Sequence, residues 1–161
     1  MKAGEVPPQL DPIDRRLTGW MARHGVTLTR LALGIVFFWF GALKLVPGWS
    51  PAEELASRTM GRLTFGVIAP STALMVLAVW EVLIGLGLLT GKFLRVTLLL
   101  LWVQMLGTLT PLLLFPAETF RIAPIAPTLE GQYIIKNLVL ITAALVVGAT
   151  VRGGQLRADE A

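Results

Sequence analysis

Glu81 lies in VLAVWEVLIGLG, residues 76–87, where every other side chain is apolar or glycine. Lys44 ends a similar run, FWFGALK, Gln104 interrupts LLLLWVQMLG, and Lys136 and Asn137 sit within YIIKNLVLI. An ionisable group at the centre of a bilayer costs about 2.5–3.5 kcal/mol on insertion scales, so it normally turns inward and finds a partner. Glu81 can pair with Lys44 or Lys136, accept hydrogen bonds from Gln104 or Asn137, or hold a proton. Glu130 and Tyr133 stand at the start of the last apolar run and extend the same polar set. The chemistry such a set offers is ligand binding or proton contact. The alternative is structural: a polar network that fixes the register of packed helices. Lys44 alone has a third option, reaching the headgroups along its own apolar stem.

Four apolar runs must position these residues. They cover about 27–47, 69–90, 93–115 and 131–151, each close to the roughly 20 residues that cross a bilayer core. Hydrophobic residues make up 55% of the 161-residue chain and charged residues 15%, and the mean hydropathy is +0.72. Soluble domains carry about 25% charged residues, so the composition belongs to a membrane protein. The short TGKFLR link makes the second and third runs antiparallel neighbours. The fold expected is an all-α integral membrane four-helix bundle with an N-terminal interfacial amphipathic helix.

That N-terminal helix is read from DPIDRRLTGWMARHG, residues 11–25, after a disordered tail. Asp11 suits an N-cap and Pro12 the first helical position. Ile13, Leu17, Trp20 and Met21 share one face, the pattern of a helix lying at a membrane surface. Residues 1–25 therefore form a cytoplasmic tail and surface helix, 26–151 the membrane domain, and 152–161 a second tail. Between the spans, Ser50, Pro51 and Glu53 have capping-box spacing and predict a short surface helix. PAETFRIAPIAPTLEG, residues 116–131, is irregular yet too apolar for a solvated loop, and is expected to fold back on the bundle.

Orientation follows from the basic residues. Lys2, Arg15, Arg16, Arg23, Arg30, Lys92, Arg95, Arg152 and Arg157 fall on one side; Arg58, Arg62 and Arg121 fall on the other. Nine against three puts both termini in the cytoplasm. No short apolar core with a cleavage site precedes the first run, so that run is expected to serve as an uncleaved signal anchor. At 1.5 Å per residue, Glu81 and Gln104 fall near mid-depth. Lys44, Glu130, Tyr133, Lys136 and Asn137 fall in the outer half.

Small and aromatic residues complete the pattern. Arg30, Gly34, Phe37, Gly41 and Lys44 recur at steps of four and three along one stripe. Gly34 and Gly41, with Gly85 and Gly87 on the second span, would let helices approach closely. Gly91 suits a helix C-terminus. Trp49 fits the interfacial belt. Trp80 and Trp102 lie deep, where they pack in the core or against lipid, or stack on a planar ligand such as a quinone.

Several classes are excluded. The net charge of +4 is explained by basic residues beside the spans, with no call for nucleic acid. The chain has no cysteine and one histidine, His24. Thiol chemistry, iron–sulfur ligation and bis-histidine haem are therefore closed to it. There is no metal-ligand set, nucleotide fingerprint or nucleophile paired with a base, so no catalytic residue is assigned.

RLALGIVFFWFGALKL (30–45), WEVLIGLGLLTG (80–91) and EGQYIIKNLVLI (130–141) resemble, in order and spacing, the DoxX-like membrane proteins, and within them the YkgB-type branch of small bacterial inner-membrane proteins. The resemblance covers residues 26 to 151. It implies a four-helix membrane bundle and a link to redox biology. Some relatives are subunits of quinone-reducing thiosulfate oxidoreductases, and others belong to oxidative or chlorine stress defence. It singles out Arg30, Gly34, Gly41, Lys44, Glu81, Gly85, Gly91, Glu130, Lys136 and Asn137. The implied function is a redox-associated subunit in the lipid bilayer, with a quinone as ligand and an oxidoreductase as partner, and with an oligomer left open. A non-catalytic scaffold or assembly factor, and a small proton-coupled permease, are the alternatives.

Overall fold

The computed structural model describes residues 10–51 and 53–156. The N-terminal tail, and with it Lys2, lies outside the described residues, as does the end of the C-terminal tail with Arg157. Four helices are long and apolar enough to cross a membrane. These are α1 (Asp11–Lys44), α3 (Pro70–Thr90), α4 (Leu94–Leu109) extended by α5 (Pro111–Leu114), and α7 (Leu129–Ala149). A surface helix α2 (Glu53–Leu63) joins α1 to α3. A short α6 (Pro116–Thr119) and a two-stranded ribbon, β1 (Phe120–Ile122) and β2 (Ala126–Pro127), join α5 to α7. The strands are antiparallel, with Phe120 opposite Pro127 and Ile122 opposite Ala126.

Side-chain and close-approach pairs fix the directions. Gly34 meets Leu89, Gly85 meets Phe38, and Gly41 meets Glu81 and Ala78; the rising and falling numbers make α1 and α3 antiparallel. Likewise Trp80 meets Leu100, Glu81 meets Gln104 and Gly87 meets Thr97, so α3 and α4 are antiparallel. The turn between them works because Gly91 adopts φ 70° and its N–H closes on Gly87 O, the left-handed helix end that glycine takes at least cost.

The core is assembled from one stripe of each long helix: Leu33 and Phe37, Ile84 and Leu88, Leu98, Leu101 and Met105, and Ala144 and Val147. The opposite faces leave Leu83, Leu86, Leu99, Leu106, Val139 and Leu145 exposed. In a membrane these faces meet acyl chains, so the bundle has little hydrophobic drive between its helices and depends on close contact instead. The three glycines at the α1–α3 crossing supply it. A Cβ on Gly41 would lie 2.8 Å from Glu81 Cβ and Val82 N, and one on Gly34 2.8 Å from Leu89 Cγ.

Three local expectations need correction. Residues 11–25 are the first half of one continuous 34-residue helix. Gly25 weakens a helix without breaking it, because nothing else ends the hydrogen-bond ladder there. Leu10, not Asp11, is the N-cap, and Asp11 and Asp14 sit in the first turn, where negative charge favours the helix dipole. The capping box at Ser50 is replaced by a longer reach: Glu53 Oε2 accepts from Gly48 N at 2.8 Å. The 116–131 connection does fold back, and it carries a ribbon that its proline content had concealed. Thr119 is fully buried, and Thr128 Oγ1 donates to Glu118 O at 2.7 Å while accepting from Gly131 N at 3.2 Å. Thr128 thereby caps α7 and ties the connection to it.

Candidate functional site, a buried polar triad at the end of an apolar chamber

Gly41 brings the triad together. Because it has no side chain, α1 lies directly against the backbone of α3 at Glu81. Lys44, three residues further on and at the last position of α1, then reaches Glu81: its Nζ donates to Oε2 at 2.6 Å. Lys44 Nζ also lies 3.4 Å from Phe40 O of its own helix. From the other side, Trp80 Nε1 donates to Leu100 O at 3.1 Å and ties α3 to α4. One turn along α4, Gln104 Nε2 donates to the second carboxylate oxygen, Oε1 of Glu81, at 2.7 Å. Glu81 and Gln104 are 8% and 7% exposed. Both carboxylate oxygens thus have a donor, and the charge is paired, as burial requires.

One polar atom is left over. Gln104 Oε1 is buried and has no hydrogen-bond partner among the described residues. Beside it lies a chamber of about 310 Å³, at the small end of the ~300–1,000 Å³ typical of ligand pockets. Lys44, Glu81 and Gln104 line one end. The walls come from α2 (Leu55, Thr59, Met60), α3 (Val76, Leu77, Trp80), α4 (Val103, Gly107, Thr108) and Ile134 of α7. Thr59 and Thr108 spend their hydroxyls on their own helices, at Leu55 O and Gln104 O. The chamber is therefore apolar apart from the triad.

The other sequence-selected residues do not line it. Tyr133 is 62% exposed, and Lys136 is exposed with its Nζ 5.2 Å from the Tyr133 ring centroid. Glu130 is exposed and Asn137 half-buried. The reason is angular. The face of α7 that enters the bundle carries Gly131, Ile134, Ala144 and Val147, and Lys136, two residues after Ile134, points roughly 200° away. Of the two pairings open to Glu81, to Lys44 or to Lys136, the structure makes the one to Lys44. Gly34, Gly41 and Gly85 lie at the α1–α3 crossing, and Gly87 lies against Thr97 of α4.

Arg30 has a role that its place among apolar residues does not announce. Its Nη1 donates to Leu88 O and, at 3.2 Å, to Leu89 O, satisfying carbonyls at the C-terminal end of α3. A cation there also meets the negative end of the helix dipole. The α1–α3 pair is thus locked by a polar contact at each end, Arg30 at one and Lys44 at the other.

The family model described as DoxX matches residues 25–115, more than half of the chain. The chain belongs to the DoxX family. DoxX is a membrane family, which makes the four apolar helices bilayer-contacting spans. The matched stretch contains the whole triad, Arg30 and every glycine of the α1–α3 crossing. No curated protein and no solved structure matches the chain.

Proposed function

We propose that this DoxX-family protein is a redox- or oxidative-stress-associated subunit of the bacterial inner membrane that holds a quinone-type ring in its chamber for a partner oxidoreductase. The observation that carries the proposal is the chamber itself: apolar walls with Trp80 among them, and the Lys44–Glu81–Gln104 triad at one end. A ring with polar oxygens and an apolar body fits that division. Lys44 supplies a donor to a ring oxygen, Glu81 holds Lys44 and Gln104 in position, and Trp80 offers a flat face. The quinone, when bound, supplies the two-electron chemistry; the chain contributes binding and orientation, with electrons passing to or from the partner. Within the family, the order of the span motifs around Lys44, Glu81 and Lys136 supports the YkgB-type branch. The excess of basic residues at the end bearing Arg30, Lys92 and Arg152 supports cytoplasmic termini and, with them, a chamber in the outer half of the bundle.

Gly107 provides the test. It lines the chamber, and a Cβ there would meet nothing within 4 Å, so Gly107→Leu adds bulk at the chamber wall from a position whose first side-chain atom meets no packed neighbour. A short-chain quinone titrated into the purified protein in lipid nanodiscs should quench Trp80 fluorescence, and Gly107→Leu should weaken that binding at least tenfold. Unchanged binding in Gly107→Leu would remove the chamber as the site.

A scaffold role is favoured by one observation, the contact of Gly41 with Glu81, which makes the triad a register pin. On that reading Glu81→Leu keeps cellular function and changes only stability, whereas a ligand site loses function with the carboxylate.

A further inference from the structure

The amide of Gln104 has one orientation open to it. A carboxylate paired with an ammonium only accepts hydrogen bonds, so the NH2 of Gln104 must face Glu81, as its 2.7 Å contact shows. The carbonyl Oε1 is then turned away from Glu81, buried and without a partner among the described residues, on a residue that lines the chamber. A buried acceptor without a donor is costly, and a ligand that brings an O–H removes the cost. Lys44 adds a second condition. Its ammonium has three N–H groups; one goes to Glu81 and one toward Phe40 O, which leaves a donor for a lone pair. A hydroxyl both donates and accepts, and so meets both conditions.

The mouth of the chamber says where such a ligand comes from. Leu63, Val76 and Val103 line the chamber and are also exposed, at 42%, 50% and 49%. They mark the opening where α2, α3 and α4 meet. Val76 and Val103 lie within membrane-spanning helices, so this rim faces acyl chains. A molecule that enters here arrives dissolved in the bilayer and can leave an apolar tail between α3 and α4.

We infer that the chamber selects the reduced, hydroxyl-bearing form of a membrane-dissolved ring ligand over its oxidised, carbonyl form, with the ring hydroxyl donating to Gln104 Oε1. The inference rests on the quinone-type ring proposed above and adds its redox state and its route. The oxidised form presents a carbonyl oxygen to Gln104 Oε1, acceptor against acceptor, and cannot remove the orphan. One buried hydrogen bond gained against one left unmade corresponds to about tenfold in affinity. A tenfold preference for the reduced form raises the midpoint potential of the bound two-electron couple by about 30 mV.

The test uses the full chain in lipid nanodiscs, with decyl-benzohydroquinone and decyl-benzoquinone titrated separately by calorimetry. The wild type should bind the hydroquinone about tenfold more tightly. Gln104→Met should bring the two affinities within about twofold. Glu81→Gln, which lets the amide at 104 turn either way, should also reduce the preference, and it keeps the test alive if Gln104→Met does not fold. Equal affinities in the wild type, or tighter binding of the quinone, overturn the inference while leaving a quinone site in place. Binding of neither form overturns the quinone-type reading itself. Decan-1-ol is the control for a lipid alcohol: weak competition supports the ring, and competition as strong as the hydroquinone's overturns it in favour of a site for any hydroxyl-headed lipid.

Discussion

Glu81 and Lys44 hold each other where neither ion is stable alone. Both side chains are 11% exposed and 2.6 Å apart, inside a bundle whose outer faces are apolar. Removing one partner of a buried ion pair typically costs about 3–5 kcal/mol, because the remaining charge has lost its compensation, whereas replacing both by apolar groups is often neutral or stabilising. Lys44→Met alone should therefore destabilise the protein by roughly 3–5 kcal/mol, and Lys44→Met/Glu81→Leu should recover most of that. Thermal unfolding in detergent of the four members of the double-mutant cycle measures it. A double mutant as unstable as the single would mean that the pair contributes more than mutual compensation. Lys44, Glu81 and Gln104 were legible in the sequence, since polar groups in apolar runs are few and must turn inward. Lys136 and Tyr133 misled because α7 is apolar on most of its circumference, so the pattern alone did not say which side enters the bundle. The orphaned Oε1 of Gln104 had no sequence signal, because it depends on which amide atom Glu81 engages.

The crossing of α1 and α3 shows how an element-scale contact rests on absent side chains. A Cβ on Gly85 would lie 2.6 Å from Phe38 Cα, well inside van der Waals contact, and backbone cannot swing aside as a flexible side chain can. Gly85→Ala should cost about 1–3 kcal/mol from overpacking, lower the unfolding temperature, and loosen the Lys44–Glu81 contact one turn away. Gly107→Ala, with open space around its Cβ, is the matched control and should change stability by less than about 1 kcal/mol. If the two substitutions behave alike, close approach is not what holds α1 on α3. The glycine stripe was readable as spacing, and so were the four spans, to within a few residues at most ends. The continuity of α1 through Gly25 was not, because a glycine inside a helical pattern is also a common place to stop. Nor was the link between α2 and the connection that follows α5. Arg58 makes two bonds to Glu118, at 2.8 and 2.6 Å, and lies 4.8 Å from the Phe115 ring centroid. That pairing joins α2 to a segment 60 residues away, a distance over which no local pattern reaches.

At the scale of the molecule, the two ends of the bundle differ in kind. One end carries α2, the ribbon and the mouth region above the triad. The other carries the extension of α1, the α3–α4 turn and the C-terminal end of α7. The α1 extension before Arg30 has 19 residues in helix, roughly 28 Å at 1.5 Å each, with Ile13, Leu17, Trp20 and Met21 exposed along it. Arg15, Arg16 and Arg23 on this extension add to the basic residues at that end, which favours the proposed cytoplasmic termini and, with them, the chamber in the outer half. The chain contains no cysteine, so a single introduced thiol reports its own position without background. Ile125→Cys places one in the ribbon turn, where the native side chain is 82% exposed; Lys92→Cys places one in the exposed α3–α4 turn. With the protein in a bacterial inner membrane made accessible from outside, a membrane-impermeant maleimide should label Ile125→Cys directly and Lys92→Cys only after the membrane is opened. The reverse pattern would invert the bundle, moving the triad to the cytoplasmic half and any partner oxidoreductase at that end to the cytoplasmic face with it.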